Sequence, residues 1–170
     1  MRNLGRTFAA ELMVAAAIFA VGSAPASAAP SGTVNRTSSA ITIFGTDQAN
    51  VVSVTSDSGM FVVTSDTGLS SDDCTQVDPV TVECSPVSEL IAFYGYRGGD
   101  SFTTAVSVHS ELYGGAGRDT LTGSTVGDLI RGQDGNDTLR GRAGPDTLFG
   151  GQGTDACIGG VGADSLSGCE

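Results

Sequence analysis

Aspartate recurs in the C-terminal part of this chain at a regular interval of nine residues. From Gly114 the sequence divides without a gap into six nonapeptides, and each unit begins with glycine and carries aspartate in its sixth place. These aspartates are Asp119, Asp128, Asp137, Asp146, Asp155 and Asp164. Glycine fills the fourth place in five of the six units, among them Gly117, Gly135, Gly144 and Gly153. Carboxylates at a fixed interval, each preceded by glycines, are suited to binding cations.

Calcium is the cation that this set of residues suits best. Glycine adopts positive φ without strain, so the backbone of each unit can turn several carbonyl oxygens toward one point. The aspartate adds a carboxylate at that point. Calcium takes about six to eight oxygen ligands, a mixture of carboxylates and carbonyls. Because one nonapeptide cannot supply so many oxygens, we expect two units to share each Ca²⁺ ion.

The eighth place of every unit is suited to a core. Side chains of a strand alternate between its two faces, so a short strand at the end of each unit would turn this place inward. A weaker copy of the unit begins at Gly95, with Asp100 and Phe102 in the same two places. The ten residues 104–113 follow it, with Ser110 near the acidic position. The eighth-place residues of the six units are Leu121, Ile130, Leu139, Leu148, Cys157 and Leu166.

This pattern resembles the haemolysin-type calcium-binding nonapeptide repeat, the RTX family. The resemblance implies an all-β fold with a C-terminal parallel β-roll, a calcium-bound solenoid in which two nonapeptides form one coil. Residues 18 apart would then share an edge. Ions would lie between neighbouring turns of an edge, with a fifth site between Asp100 and Asp119. The pairs implied for the other four sites are Asp119/Asp137, Asp137/Asp155, Asp128/Asp146 and Asp146/Asp164.

Two further features of the array lead to predictions about its folding and its ligands. Each unit contributes one medium-sized inward residue, too little apolar burial to offset the conformational entropy of the chain. We therefore expect the array to fold on binding about four or five Ca²⁺ ions. The unit from Gly123 has Val126 instead of glycine in its fourth place, so we expect either that Asp128 is a poorer ligand or that Gly127 shifts the turn.

The N-terminus predicts export. Arg2 and Arg6 precede an apolar stretch over residues 12–21, and Ala26-Ser27-Ala28 follows it. This order predicts a signal peptide over residues 1–28 and a secreted, extracellular protein, with an uncleaved anchor as the alternative. No later segment is apolar and long enough to span a membrane. Without residues 1–28 the net charge is −12, which disfavours binding to nucleic acid.

Four cysteines in an exported chain predict two disulfides. Three pairings are possible in principle. Cys74 and Cys84 flank a predicted turn at Asp78-Pro79-Val80, which favours a local pair across a hairpin. Cys157 and Cys169 would then pair and cap the last coil.

The remaining organisation is β-rich. Residues 29–40 are small and polar, which predicts a linker. Residues 41–94 alternate apolar and polar residues between turn-forming clusters, which predicts short strands and hairpins at Ile41/Ile43, Val52/Val54, Phe61/Val63 and Val80/Val82. Residues 95–170 would form the β-roll with its disulfide cap.

The sequence lacks the motifs of common hydrolases. His109 is the single histidine, and neither a Gly-x-Ser-x-Gly nor a His-Glu-x-x-His motif occurs. We therefore expect a non-enzymatic, secreted calcium-binding protein. Two alternatives stay open, a β-rich binding or adhesion module supported by the array and a small calcium-dependent hydrolase. A protein or surface partner is not specified by the sequence.

Overall fold

The computed structural model describes residues 32–170, and all regular structure in that range is β-strand. The predicted signal peptide, residues 1–28, lies outside the described residues. In the described range no helix could cross a membrane. The strands are β1 (Gly32–Arg36), β2 (Ala40–Phe44), β3 (Val51–Asp57), β4 (Met60–Ser65), β5 (Leu69–Ser70), β6 (Thr75–Asp78), β7 (Thr81–Cys84), β8 (Leu90–Tyr94), β9 (Ser101–Thr104), β10 (Ser110–Ala116), β11 (Thr120–Thr122), β12 (Leu129–Asp134), β13 (Thr138–Ala143), β14 (Thr147–Gln152), β15 (Ala156–Val161) and β16 (Ser165–Ser167).

The strands form two sheets of eight. One has the order β16-β14-β12-β10-β8-β2-β1-β5, and the other has the order β15-β13-β11-β9-β3-β4-β7-β6. From β8 onward the chain alternates between the sheets, and all pairs among these strands are parallel. Leu121 pairs with Leu139 and Ile130 with Leu148, each 18 residues apart. The predicted β-roll is confirmed as a parallel solenoid of about four turns over residues 91–167.

The eighth-place residues form the interior of the solenoid, as the alternation predicts. Leu121, Ile130, Leu139 and Leu148 have no exposed surface. Leu166 is 45% exposed because no further coil covers the last one. The interior therefore ends where the stack of coils ends.

The region before the array continues both sheets. β2 pairs in parallel with β8, and β3 pairs in parallel with β9. Antiparallel strands then extend each sheet. In the first sheet β1 pairs with β2; in the second β4 pairs with β3, β7 with β4, and β6 with β7. Buried residues from Val34 to Leu148 form a single apolar cluster. The N-terminal region and the solenoid thus share one core.

Two details differ from the sequence-based expectations. Residues 32–36, in the segment expected to be a linker, form β1, since Val34 is buried in the common core. Val80 lies outside a strand and is exposed, because Asp78 Oδ1 accepts its backbone N–H in the turn between β6 and β7. The other residues of the predicted alternating pairs in 41–94 are buried.

The structure contains both predicted disulfides. Cys74–Cys84 links the ends of the β6–β7 hairpin, and Cys157–Cys169 joins β15 to the C-terminus. At that end the N–H of Glu170 donates to the carbonyl oxygen of Asp155. The last coil is therefore closed by a covalent and a hydrogen-bonded link.

Candidate metal sites

The sixth-place aspartates lie on two edges of the solenoid, and each bonds to the coil before it. On one edge Asp119 Oδ1 accepts the N–H of Asp100 at 2.7 Å, and Asp137 Oδ1 accepts the N–H of Asp119 at 2.8 Å. The other edge repeats the contact, because Asp146 Oδ1 accepts the N–H of Asp128 at 2.8 Å. One carboxylate oxygen of each of these residues is thereby used in joining coils.

In five aspartates of the described residues, the second carboxylate oxygen accepts no hydrogen bond. These side chains are at most 2% exposed. Within residues 32–170 the Oδ2 atoms have no hydrogen-bond partner. Burying an ionised oxygen without a partner is costly, so such oxygens mark a place for a cation. The five residues are Asp100, Asp119, Asp137, Asp146 and Asp155.

Each unpartnered oxygen faces a carbonyl of the next coil across a glycine. A Cβ added at Gly114 would overlap Asp119 Oδ2 and lie 2.8 Å from the carbonyl oxygen of Gly132. A Cβ added at Gly132 would likewise overlap Asp137 Oδ2 and lie 2.7 Å from the carbonyl oxygen of Gly150. A carboxylate and a carbonyl oxygen thus face the same small space, the ligand mixture that calcium takes.

The fourth-place glycines allow the turns to stack. Gly135 has φ of 145°, and a Cβ there would overlap the carbonyl oxygen of Gly117 in the coil before. Gly117, Gly144 and Gly153 also have positive φ. The second place of these turns has positive φ too, even where Gln133 and Arg142 occupy it. The turns with glycine in the fourth place therefore share one backbone form.

No three acidic, histidine or cysteine side chains converge on a possible metal position among the described residues. Aspartates of one edge are a full coil apart, so an ion between two coils meets only one or two carboxylates. Backbone carbonyl oxygens would have to supply the remaining ligands. The residues present therefore fit calcium, which accepts carbonyl ligands readily.

A protein-family model matches most of the array. The RTX calcium-binding nonapeptide repeat matches residues 111–130 and 131–166, with four copies. Residues 111–166 are RTX repeats. RTX repeats bind Ca²⁺. No curated protein and no solved structure was found to match the chain. The turn that carries Asp100 lies before the matched RTX residues.

Burial changes the acidity of the RTX aspartates. The pKa of Asp119 is raised to about 6, chiefly by desolvation; the bond from the Asp100 N–H lowers this pKa, and the nearby Asp137 and Asp100 carboxylates raise it. Desolvation likewise raises the pKa of Asp146 to about 6. The pKa values of Asp100, Asp128 and Asp137 are also raised, chiefly by burial. The ionised array is therefore under electrostatic strain that a divalent cation would relieve.

Two members of the RTX array differ from the rest. Asp128 is not among the residues with an unpartnered oxygen, because its Oδ2 accepts the N–H of Ser124 at 2.6 Å. The sequence marked this unit through Val126, and the structure adds Ser124 as the residue that bonds the carboxylate. Asp164, on the last turn, is partly exposed.

The structure also contains a unit that sequence reasoning missed. Residues 45–53 follow the RTX register, with Asn50 in the sixth place and Val52 in the eighth. The N–H of Asn50 donates to Asp100 Oδ1 at 2.8 Å, the same contact that Asp100 makes to Asp119. Val52 pairs with Phe102. The signal available in the sequence was Gly45 and Val52 seven residues apart, without the aspartate and further glycines that identify an RTX unit.

Proposed function

We propose that this is a secreted calcium-binding protein whose RTX array binds about four or five Ca²⁺ ions and folds on binding them. The unpartnered Oδ2 atoms of five buried aspartates carry this proposal. Each atom faces a backbone carbonyl across a glycine that leaves no room for a side chain, as at Gly114. In this role the aspartates bridge coils through Oδ1 and hold the ion through Oδ2.

Charge supports the coupling of folding to calcium. The chain without residues 1–28 has a net charge of −12, and several of its carboxylates lie on two edges of a narrow solenoid. Neighbouring strands are about 5 Å apart, so ionised carboxylates stacked at that spacing repel one another. Each bound Ca²⁺ removes two negative charges from this stack. Metal binding that neutralises a site in this way contributes directly to folding.

Export and the lack of enzymatic activity belong to the same proposal. The signal peptide predicted for residues 1–28 would deliver the chain to an oxidising compartment, where the two disulfides of the structure persist. RTX calcium-binding repeats are typically non-enzymatic. The metal role accounts for the buried aspartates without a role in catalysis. The single histidine, His109, contacts the Gly127 carbonyl oxygen through Nδ1.

The test is a calcium titration of the purified protein. Calorimetry would count the ions, and far-ultraviolet circular dichroism would follow strand content. We expect Asp137→Asn to weaken calcium binding by roughly 10–100-fold, since it removes the charge of a buried ligand. Asp134→Asn is the matched control, because Asp134 is exposed and only three residues away. Equal effects of the two substitutions, or a wild type that ignores calcium, would contradict the proposal.

A further inference from the structure

The repeat units contain two kinds of turn. In one kind, which we name the open turn, the second and fourth places both have positive φ, as at Gly115 and Gly117. In the other kind, which we name the hydroxyl turn, the second place is Thr46 or Ser124. Neither these residues nor their fourth-place residues have positive φ. The hydroxyl turns therefore follow a different backbone path to the same sixth place.

Both hydroxyl turns use one hydrogen-bond network. Ser124 Oγ accepts the N–H of Val126 at 3.1 Å and lies 3.1 Å from Asp128 Oδ1. Thr46 Oγ1 accepts the N–H of Gln48 at 3.1 Å and lies 3.1 Å from Asn50 Oδ1. Each hydroxyl also lies within hydrogen-bonding distance of the fourth-place carbonyl oxygen, at 3.2 Å and 3.4 Å. The two turns share a hydroxyl at the second place and glycine at the first.

In the hydroxyl turns, N–H and O–H groups of the protein contact the side-chain oxygens. In the open turns the corresponding carboxylate oxygens have no hydrogen-bond partner. At Asp128 the N–H and hydroxyl of Ser124 contact both carboxylate oxygens. At the other turn the neutral Asn50 replaces the acid, and its Nδ2 donates to Asp100 Oδ1 at 2.8 Å. Asn50 Oδ1 also accepts the hydroxyl of Thr67 at 3.0 Å. These polar groups are satisfied without an ion.

Both hydroxyl turns also lie toward the N-terminal end of their edges. Asn50 precedes Asp100 on one edge, and Asp128 follows Ser110 on the other, where the Ser110 N–H donates to Asp128 Oδ1. We infer that the turns at 45–50 and 123–128 are metal-independent substitutes for calcium-bound turns, which keep the first coils folded before calcium binds the open turns. This inference rests on the proposed function for its calcium part alone.

This inference reduces the expected number of calcium sites to four. The gap between Asp128 and Asp146 is bounded on one side by a hydroxyl turn and would not hold an ion. Four gaps have open turns on both sides, those of Asp100/Asp119, Asp119/Asp137, Asp137/Asp155 and Asp146/Asp164.

The decisive experiment converts one hydroxyl turn into an open turn. Ser124→Gly with Val126→Gly removes the hydroxyl network and restores glycine at the second and fourth places. In chelator we expect the amide of residue 126 to exchange at least roughly tenfold faster than in the wild type, because its bond to the Ser124 hydroxyl is lost. With calcium, native mass spectrometry should count one additional ion. Thr125→Gly is the control, since Thr125 is exposed and outside the network.

A second variant tests the other turn. Thr46→Val removes the hydroxyl with little change of shape, so the Gln48 amide should exchange roughly tenfold faster in chelator. The ion count should not change, because Asn50 remains neutral.

Unchanged amide exchange in both variants would overturn the inference, as would an additional ion in Thr125→Gly. A wild type that binds no calcium but protects these amides in chelator would overturn the proposed function while supporting the metal-independent turns.

Discussion

The two ends of the solenoid are stabilised in different ways. At the N-terminal end, Phe93 stacks on Phe102 in the interior with ring centroids 4.9 Å apart, and further antiparallel strands extend both sheets. The later coils have one inward Leu or Ile in each unit and aspartates with unpartnered oxygens. The same coil geometry is thus supported by apolar burial and hydroxyl turns at one end, whereas at the other end it contains the carboxylates that the proposed cation would neutralise.

The outer face of the first sheet shows the same gradient. Phe44 stacks on Tyr94 and Tyr94 on Tyr113, with ring centroids 5.5 and 4.9 Å apart. Arg131 then lies over the Tyr113 ring at 5.5 Å and over the Phe149 ring at 5.2 Å, and Phe149 is exposed. Stacking of ring on ring therefore joins the early coils, whereas the later coils are joined through the Arg131 guanidinium and through their turns. The predictions below test this difference.

The largest effect is expected from calcium removal. In chelator, amides of 132–167 should exchange at least roughly 100-fold faster than with calcium, since their turns contain buried carboxylates without a counter-charge. Amides of 40–54 should change little, because their turn is satisfied by Thr46 and Asn50. Hydrogen exchange read by mass spectrometry measures both. A uniform increase along the chain would remove the distinction between the two ends.

Gly135→Ala should destabilise the calcium-bound protein by about 2–4 kcal/mol, because a Cβ there would overlap the Gly117 carbonyl oxygen and φ is 145°. The control is Gly59→Ala, which also has positive φ, 82°, but meets nothing within 4 Å. We expect Gly59→Ala to lower the free energy of unfolding by about 1 kcal/mol. Denaturant unfolding measures both, and equal costs would show that stacking of the turns is not the constraint.

The two disulfides should separate the two ends. Their closed loops are similar, with sequence separations of 10 and 12 residues, so either loss should cost about 2–3 kcal/mol on the chain-entropy account. Replacing Cys157 and Cys169 with serine should also lower calcium affinity several-fold, since Asp155 bonds to the closed end. Replacing Cys74 and Cys84 should leave affinity unchanged. Calorimetry with each double variant checks this, and the reverse order would refute it.

The pH dependence should change sign with calcium. Asp119 and Asp146 have folded-state pKa values of about 6, above the ordinary 3.8, so the metal-free fold binds more protons than the unfolded chain between these values. The Tm in chelator should therefore fall as pH rises from 4 to 6. With calcium the Tm should rise over the same range, because the ion requires ionised carboxylates. A Tm in chelator that rises with pH would contradict this.

Some features could be predicted because each repeats locally. Aspartate in every sixth place and an apolar residue in every eighth predicted two edges and an inward row, and the pairing of Leu121 with Leu139 confirms the 18-residue coil. The Cys74–Cys84 disulfide also followed from local spacing around Asp78-Pro79-Val80, and Cys157–Cys169 was the pair that remained. Other features have no local signal. Gln133 and Arg142 adopt positive φ although neither is glycine, and nothing in their residue type predicts it.

By itself the sequence determined the register of the array and its preference for a hard cation, since both depend on residues within nine positions of one another. The tertiary structure alone decided where that register begins and which aspartates lack a partner. Asn50 and Asp100 are fifty residues apart, and their contact exists only because β2 and β3 join the solenoid sheets. Ser124 and Asp128 are only four residues apart, but their bond forms in a turn without positive φ, a backbone path that the repeat pattern does not specify.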